Sequence, residues 1–107
     1  MGYLSGFGGA EQKGSMTMDS ATIEDKLLTA YVRNNGKVAI NFDSLYVNGI
    51  KKSFFVHIED IPIKGPLNEG QIAIIRYYDE GFISGQNYEF KLVSKEGIQL
   101  IFNLKTK

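Results

Sequence analysis

The most constraining feature of this sequence is the stretch at residues 28–49, LTAYVRNNGKVAINFDSLYVNG, where two alternating runs flank a turn-forming NNGK. Apolar residues occupy every second position of both runs: Leu28, Ala30 and Val32 in the first, and Val38, Ile40 and Phe42 in the second. Such alternation is typical of strands that bury one face. Asn and Gly tolerate the positive φ angles that tight turns need. We therefore predict a β-hairpin here, with a second turn at Asn48-Gly49.

Further short segments with strand character follow, separated by turn residues. Strands are predicted at residues 22–34, 54–58, 71–78, 88–92 and 98–104. Pro62 and Pro66 predict an edge strand or a crossover loop between the second and third of these, because proline cannot donate a hydrogen bond to a sheet. About seven short strands at such spacing predict an all-β fold, a sandwich of two antiparallel sheets.

The 107 residues suffice for a single domain with its own core. Glycine and serine are frequent in residues 1–20, which are predicted to be a flexible leader. Residues 21–107 are predicted to form the sandwich domain.

Charge and composition exclude several classes of function. Twelve Lys and Arg balance twelve Asp and Glu, so the chain has no basic surplus with which to neutralise phosphates, and nucleic acid is not expected as a partner. The absence of cysteine excludes disulfides and thiolate chemistry. Balanced charge also lowers the repulsion between copies, which favours self-association.

Residues capable of catalysis are sparse, and no enzyme activity is expected. His57 is the single histidine, in a strand-like context, and is interpreted as a surface or packing residue. Three acidic doublets occur, at Glu24-Asp25, Glu59-Asp60 and Asp79-Glu80. Neighbours on a strand point to opposite faces, so the doublets are interpreted as solvated charges. No catalytic residue, metal ligand or cofactor site is predicted.

Apolar residues that break the alternation indicate a partner surface. Ile75, Tyr77, Val93 and Ile101 lie on the otherwise polar side of their predicted strands. Exposed apolar residues that gather in one patch mark a site of protein contact. These four residues are therefore the predicted partner-binding positions. A carbohydrate-binding sandwich is an alternative, for which Tyr77, Tyr78 and Phe82 are the candidate aromatic residues.

The segments YVRNNGKVAINFDSLYVNG, LNEGQ and YEFKLVSKEGIQLIF resemble the extracytoplasmic domains of archaeal type IV pilin-like envelope proteins. The similarity is to the archaellum stator proteins FlaF and FlaG, and more loosely to archaellins and adhesion pilins. It implies an immunoglobulin-like β-sandwich in the cell envelope. It also implies an apolar N-terminal helix that provides membrane attachment, of which YLSGFGG would be the remaining junction.

The resemblance implies two related functions. A FlaF-like domain would anchor the motor to the envelope by binding the surface-layer (S-layer) protein, with self-association and a stator partner. A FlaG-like domain, or a pilin or archaellin, would form a filament. The expected partners are thus the S-layer protein, other copies of the chain and a stator protein, with no cofactor.

Overall fold

The computed structural model describes residues 14–58, 61–62 and 65–107, which form nine β-strands. In chain order these are β1 Met16–Glu24, β2 Leu27–Asn34, β3 Phe42–Val47, β4 Ile50–Lys52, β5 Phe55–Ile58, β6 Ile61–Pro62, β7 Ile72–Tyr78, β8 Asn87–Ser94 and β9 Gln99–Lys105. No helix long and apolar enough to cross a membrane occurs in this described part of the chain.

The strands form two antiparallel sheets. One sheet has five strands in the order β1-β2-β7-β5-β6, and the other has four in the order β9-β8-β3-β4. Apart from the two-residue β6, which pairs antiparallel with β5 at the edge, this order reproduces the ABED and GFCC′ sheets of immunoglobulin-like domains. The predicted all-β, immunoglobulin-like sandwich is therefore confirmed. The number of strands exceeds seven because β4 and β6 are short additions of three and two residues.

The core lies between the two sheets and consists of residues from both. Leu28, Ala30 and Val32 of β2 are fully buried, as the alternation predicts. Phe90 of β8 is also fully buried, with its ring stacked on that of Phe102 at a centroid distance of 5.2 Å. This burial of apolar area is the main stabilising term of the fold.

The predicted strand at residues 22–34 is wrong, because a tight turn divides it. Asp25 and Lys26 have φ angles of 54° and 66°, and they connect β1 to β2 in an antiparallel hairpin. The turn is difficult to detect in the sequence since neither residue is glycine or asparagine. The predicted leader is also too long, since Met16 to Ser20 belong to β1. The remainder of the predicted leader, residues 1–13, lies outside the described residues.

Replacing Asp25 with Val should destabilise the domain, because a β-branched side chain clashes with the backbone at positive φ. We expect a loss of about 1–2 kcal/mol in the free energy of unfolding. Urea denaturation measures it. Thr22→Val, at an exposed position of the adjacent strand, is the control and should change stability by less than about 0.5 kcal/mol.

The predicted hairpin between residues 28–33 and 38–42 is also wrong. β2 pairs with β1 and β7, whereas β3 pairs with β4 and β8 in the opposite sheet. The NNGK segment therefore begins a crossing from one sheet to the other. Ile40 in this crossing makes two backbone hydrogen bonds with Leu67, of 2.9 and 2.7 Å.

A buried asparagine organises this crossing. The side chain of Asn34 donates from Nδ2 to the carbonyl oxygens of Val38 (3.0 Å) and Leu67 (2.8 Å), and its Oδ1 accepts from the backbone of Gly36 (3.0 Å). The backbone of Ser15 approaches so closely that a Cβ on Gly36 would lie 2.6 Å from the Ser15 nitrogen. Side-chain bonds of this kind replace the ladder bonds that a hairpin would have made.

Other sequence predictions are confirmed. Asn48 and Gly49 have φ angles of 49° and 85° and form the two-residue turn between β3 and β4. Pro62 lies in β6, at the edge of the five-stranded sheet. The strands predicted at residues 88–92 and 98–104 correspond to β8 and β9, which pair as an antiparallel hairpin.

Candidate functional site

Strand β7 presents the opposite face to solvent from the one that the sequence indicates. Ile75 and Tyr77 are 1% and 7% exposed and belong to the core, so the prediction that they contact a partner is wrong. The outward positions are Ile72, Ile74, Arg76 and Tyr78. A shift of one residue in a strand exchanges its two faces, and both faces of β7 are apolar.

Arg76 is the signal that could have identified the outward face of β7. It shares the side of Ile72 and Ile74, and an unpaired guanidinium is rarely accommodated in a core. Its presence therefore marks those isoleucines as facing outward. The small Ala73 on the other side also fits a tightly packed interior.

The outward side chains of the five-stranded sheet form the candidate site, called here the outer face. In one row across the strands, Ser20, Tyr31, Ile74 and His57 lie side by side in consecutive register. The next row contains Thr22, Thr29, Arg76 and Phe55. Aromatic side chains dominate its exposed surface: Phe55 is 71%, Tyr78 54% and Tyr31 39% exposed. Because these groups share a single face, they form a patch instead of scattered exposed residues.

The margin of the outer face is polar. Arg33 donates from Nη2 to Oδ2 of Asp19 at 2.8 Å and from Nε to Oδ1 at 3.4 Å, a two-point ion pair between partly exposed side chains. Exposed aromatic side chains accompanied by polar and charged ones are common at protein contact surfaces.

The four-stranded sheet is more polar on its outward side. Ile101 is 56% exposed and Val93 half-buried on this side, paired with Lys91 and Gln99 respectively. The ammonium group of Lys91 lies 5.0 Å from the ring centroid of Tyr46. The four predicted partner residues therefore do not gather, since two are in the core and two are on this sheet.

Both sheets have edges that are poorly suited to the addition of another strand. β6 has only two residues, one of them Pro62, and β4 has three, including Lys51 and Lys52. The remaining edge strands, β1 of one sheet and β9 of the other, lie beside each other. The backbone N–H of Lys107 also donates to the carbonyl oxygen of Ile23 in β1, at 3.1 Å. The register of β1 is interrupted between Met18 and Ser20. Short strands, proline, lysine and bulges all oppose edge-to-edge pairing.

The aromatic residues suggested for carbohydrate binding do not form a platform. Tyr77 and Phe82 are buried, and their rings meet edge to face at an interplanar angle of 89°. Tyr78 alone of the three is exposed. A sugar-binding surface requires accessible and coplanar rings, so the carbohydrate hypothesis loses its candidate residues.

The hydroxyl of Tyr77 instead donates to Oδ2 of Asp79 at 2.5 Å, and the backbone of Gly81 donates to Oδ1 at 2.8 Å. The hydrogen bond from Tyr77, then that from Gly81, lower the pKa of Asp79 against the opposing effect of burial. Burial, followed by the bond to Asp79, raises the pKa of Tyr77. This cluster fixes the turn after β7.

Tyr77→Phe should destabilise the domain in a pH-dependent way. A carboxyl group with a depressed pKa stabilises the folded state above its unfolded pKa of about 3.9, and this contribution is lost as the pH falls through the folded value. We expect a loss of about 1–2 kcal/mol at pH 7 that shrinks as the pH falls below this unfolded value. Urea denaturation at pH 7 and at low pH measures it. Tyr31→Phe, on the outer face, should keep the parent's pH dependence.

No group of three or more metal-binding side chains is present among residues 14–58, 61–62 and 65–107. His57 is half-buried on the outer face, and its Nδ1 is buried with no hydrogen-bond partner in those ranges. Of the acidic doublets, Asp79-Glu80 accepts hydrogen bonds from the hydroxyls of Tyr77 and Tyr78. Glu24-Asp25 lies at the first turn, and Glu59-Asp60 lies outside the described residues.

Comparison with known proteins identifies a similarity at the level of structure. No protein-family model matches the sequence, and no curated protein sequence matches it. The structure is similar to that of the archaellum periplasmic stator protein FlaG from Sulfolobus acidocaldarius, with a TM-score of 0.60. The two chains share a fold. The similarity covers 83% of this chain and 99% of FlaG at 20% sequence identity.

The similarity to FlaG extends over nearly the whole of that solved chain. At this level of identity it establishes the architecture. The outer face and its exposed aromatic residues are features of the present sequence.

Proposed function

We propose that this chain is the extracytoplasmic domain of an archaellum stator protein and that it acts by binding other proteins. The observation that carries the proposal is the shared fold with FlaG, which is a periplasmic stator protein of the archaellum. A stator must resist the reaction to filament rotation. Its domain outside the membrane therefore needs a rigid scaffold and a surface for attachment.

The sandwich provides the scaffold, and the outer face is the proposed attachment surface. Its exposed aromatic residues lie on regular strands, which hold them in fixed positions. Aromatic residues with arginine nearby are enriched at protein contacts that contribute most of the binding energy. The outer face has this combination on the neighbouring strands β2 and β7, at Tyr31, Arg76 and Tyr78.

Two kinds of partner fit this function. In a FlaF-like protein the S-layer protein would hold the domain against the envelope, and in a FlaG-like protein other copies of the chain would do so. Equal numbers of acidic and basic residues do not oppose contact between copies. In both cases the domain lies outside the cytoplasmic membrane.

Binding of the purified full chain to purified S-layer protein, and to itself, tests the proposal. Biolayer interferometry with immobilised chain should detect at least one of these two interactions. Ile74→Arg should weaken that interaction at least tenfold, and Ile101→Lys, on the opposite sheet, should leave it unchanged. Absence of both interactions, or normal swimming after deletion of the gene in the source organism, would contradict the stator assignment.

A further inference from the structure

We infer that the outward side of the four-stranded sheet carries a binding site for a hydroxylated carboxylate of the uronic acid class. The site is a cavity of about 350 Å³ above β8, lined by Tyr46, Gly49, Glu89, Lys91 and Ile101. Cavities that hold small ligands have volumes from about 300 Å³ upward. This sheet lies opposite the outer face, so the inference does not depend on the proposed function.

Strand register places the lining residues side by side. Lys91 in β8 lies between Ile101 in β9 and Tyr46 in β3. Glu89 is two positions from Lys91 in the same strand, so both side chains point to the same side of the sheet. The turn residue Gly49 completes the lining, and a Cβ placed on it would meet no atom within 4 Å. The cavity is therefore open to solvent at the turn.

The charged groups at the cavity are available to a ligand. Among the residues that the structure describes, neither Glu89 nor Lys91 forms an ion pair. The ammonium group of Lys91 lies 5.0 Å from the centroid of the Tyr46 ring, and this contact holds the positive charge at the wall of the cavity. Lys51 pairs with Tyr46 on its other side and adds a second ammonium group to the same side of the sheet.

These groups match the parts of a uronic acid. The carboxylate of the ligand accepts hydrogen bonds from the ammonium group of Lys91, and its hydroxyl groups donate to the carboxylate of Glu89. The carbon atoms of the sugar ring pack against Tyr46 and Ile101. Two ammonium groups against one carboxylate favour an anionic sugar over a neutral one.

The shape of the site favours a single sugar unit. A flat sugar-binding surface needs several coplanar rings, whereas a pocket holds one unit against one ring and binds its polar groups with a few side chains. A peptide strand fits less well. β8 is paired with β9 on one side and with β3 on the other, so its backbone has no free row of groups for an added strand. The ligand is therefore recognised through side chains.

Titration of the ¹⁵N-labelled full chain with galacturonic acid, and with its linear trimer, tests the site. Amide shift changes should centre on Tyr46, Glu89 and Lys91, with a dissociation constant on the order of 1 mM for a ligand of this size. Tighter binding of the trimer would identify a polysaccharide as the source of the sugar, and equal binding a free sugar acid. No changes with either ligand at about 10 mM, or changes confined to the outer face, would overturn the inference.

Two control ligands separate recognition of the sugar from attraction of charge. The methyl ester of the trimer keeps the rings and lacks the negative charges, and triglutamate has the negative charges and lacks the rings. Both should bind at least about fivefold more weakly than the trimer. Equal binding of triglutamate would show that any anion suffices, and equal binding of the ester would show that the carboxylate is not recognised. Either result would overturn the inference.

Glu89→Gln distinguishes the proposed site from a basic surface. Removal of a negative charge would strengthen a nonspecific attraction for an anion. In the proposed site the same change replaces a charged acceptor of hydroxyl hydrogen bonds with a weaker neutral one. We therefore expect Glu89→Gln to weaken binding of the trimer at least about threefold. Unchanged or tighter binding would overturn the inference.

Lys91→Met should weaken binding of the trimer at least about fivefold, because it removes the charged donor at the cavity. Lys37→Met is the matched control. It removes the same charge at an exposed position in the crossing after β2 and should leave binding unchanged. Thermal unfolding should confirm that both variants are folded. Equal effects of the two substitutions would show that only the net charge matters and would overturn the inference.

Discussion

Changing Ile75 to Lys is expected to unfold the chain, whereas the same change at the adjacent Ile74 is expected to leave it folded. Ile75 is 1% exposed and lies between Ala30 of β2 and Val56 of β5. Lysine at position 75 would bury an ammonium group among the apolar side chains of the core, where it has no counter-charge. We expect a loss of at least about 4 kcal/mol, a large part of the stability of a domain of this size.

The matched change at Ile74 has a different outcome because that side chain points outward. Lysine at position 74 can reach solvent, so a cost of less than about 1 kcal/mol is expected. Urea denaturation followed by far-UV circular dichroism measures both variants. Unfolding by Ile74→Lys combined with tolerance of Ile75→Lys would show that β7 has the opposite orientation and would remove the outer face as described.

Replacing Asn34 with Ala should destabilise the domain by about 3–5 kcal/mol, the second largest effect that we expect. Asn34 is fully buried, and its side chain satisfies the carbonyl groups of Val38 and Leu67 and the backbone N–H of Gly36. Alanine removes all three bonds and leaves these groups in a site with little access to water. Thermal and urea unfolding measure the loss, and Asn103→Ala, at an exposed position of β9, should be close to neutral.

Asn34→Asp separates hydrogen bonding from side-chain volume. The shape is nearly unchanged, but at neutral pH a carboxylate would face two carbonyl oxygens to which Asn34 donates. We expect this variant to be at least as unstable as Asn34→Ala at pH 7. Part of the difference from the parent should be recovered on acidification, because a protonated carboxyl can donate one bond. Stability equal to that of the parent at pH 7 would contradict the proposed role of the amide.

The sequence was most informative where local residues decide the structure. The hairpin of β8 and β9 follows from strict alternation on either side of KEG, and the turn between β3 and β4 follows from Asn48-Gly49. The edge position of Pro62 follows from its missing N–H group. These features depend on a few neighbouring residues, so the sequence suffices to predict them.

The sequence-based predictions failed where contacts between residues far apart in the chain determine the structure. The crossing after β2 has the turn chemistry of a hairpin, but β2 obtains both of its neighbours, β1 and β7, from elsewhere in the sequence. The side chain of Asn34 stabilises the crossing partly by donating to the carbonyl oxygen of Leu67, which lies 33 residues away in the sequence. A local pattern contains no information about such partners.

The candidate site was missed for a related reason. Apolar residues occupy both faces of β7, so alternation alone could not distinguish the core side from the contact side. The choice depends on which face is covered by the second sheet, and Arg76 was the one local residue that indicated it. Of the predicted partner residues, Ile101 is exposed and Val93 half-buried, but they lie on the sheet opposite the aromatic patch. Their role in binding stays a prediction.

We propose that this domain makes its protein contacts through the outer face of the five-stranded sheet. Amide NMR spectra of ¹⁵N-labelled full chain, recorded as unlabelled chain is added, test this directly. We expect shift changes and broadening to centre on β2 and β7, around Tyr31 and Ile74, with little change on the opposite sheet. Changes confined to β8 and β9 around Ile101, or no changes at high micromolar concentration, would contradict it.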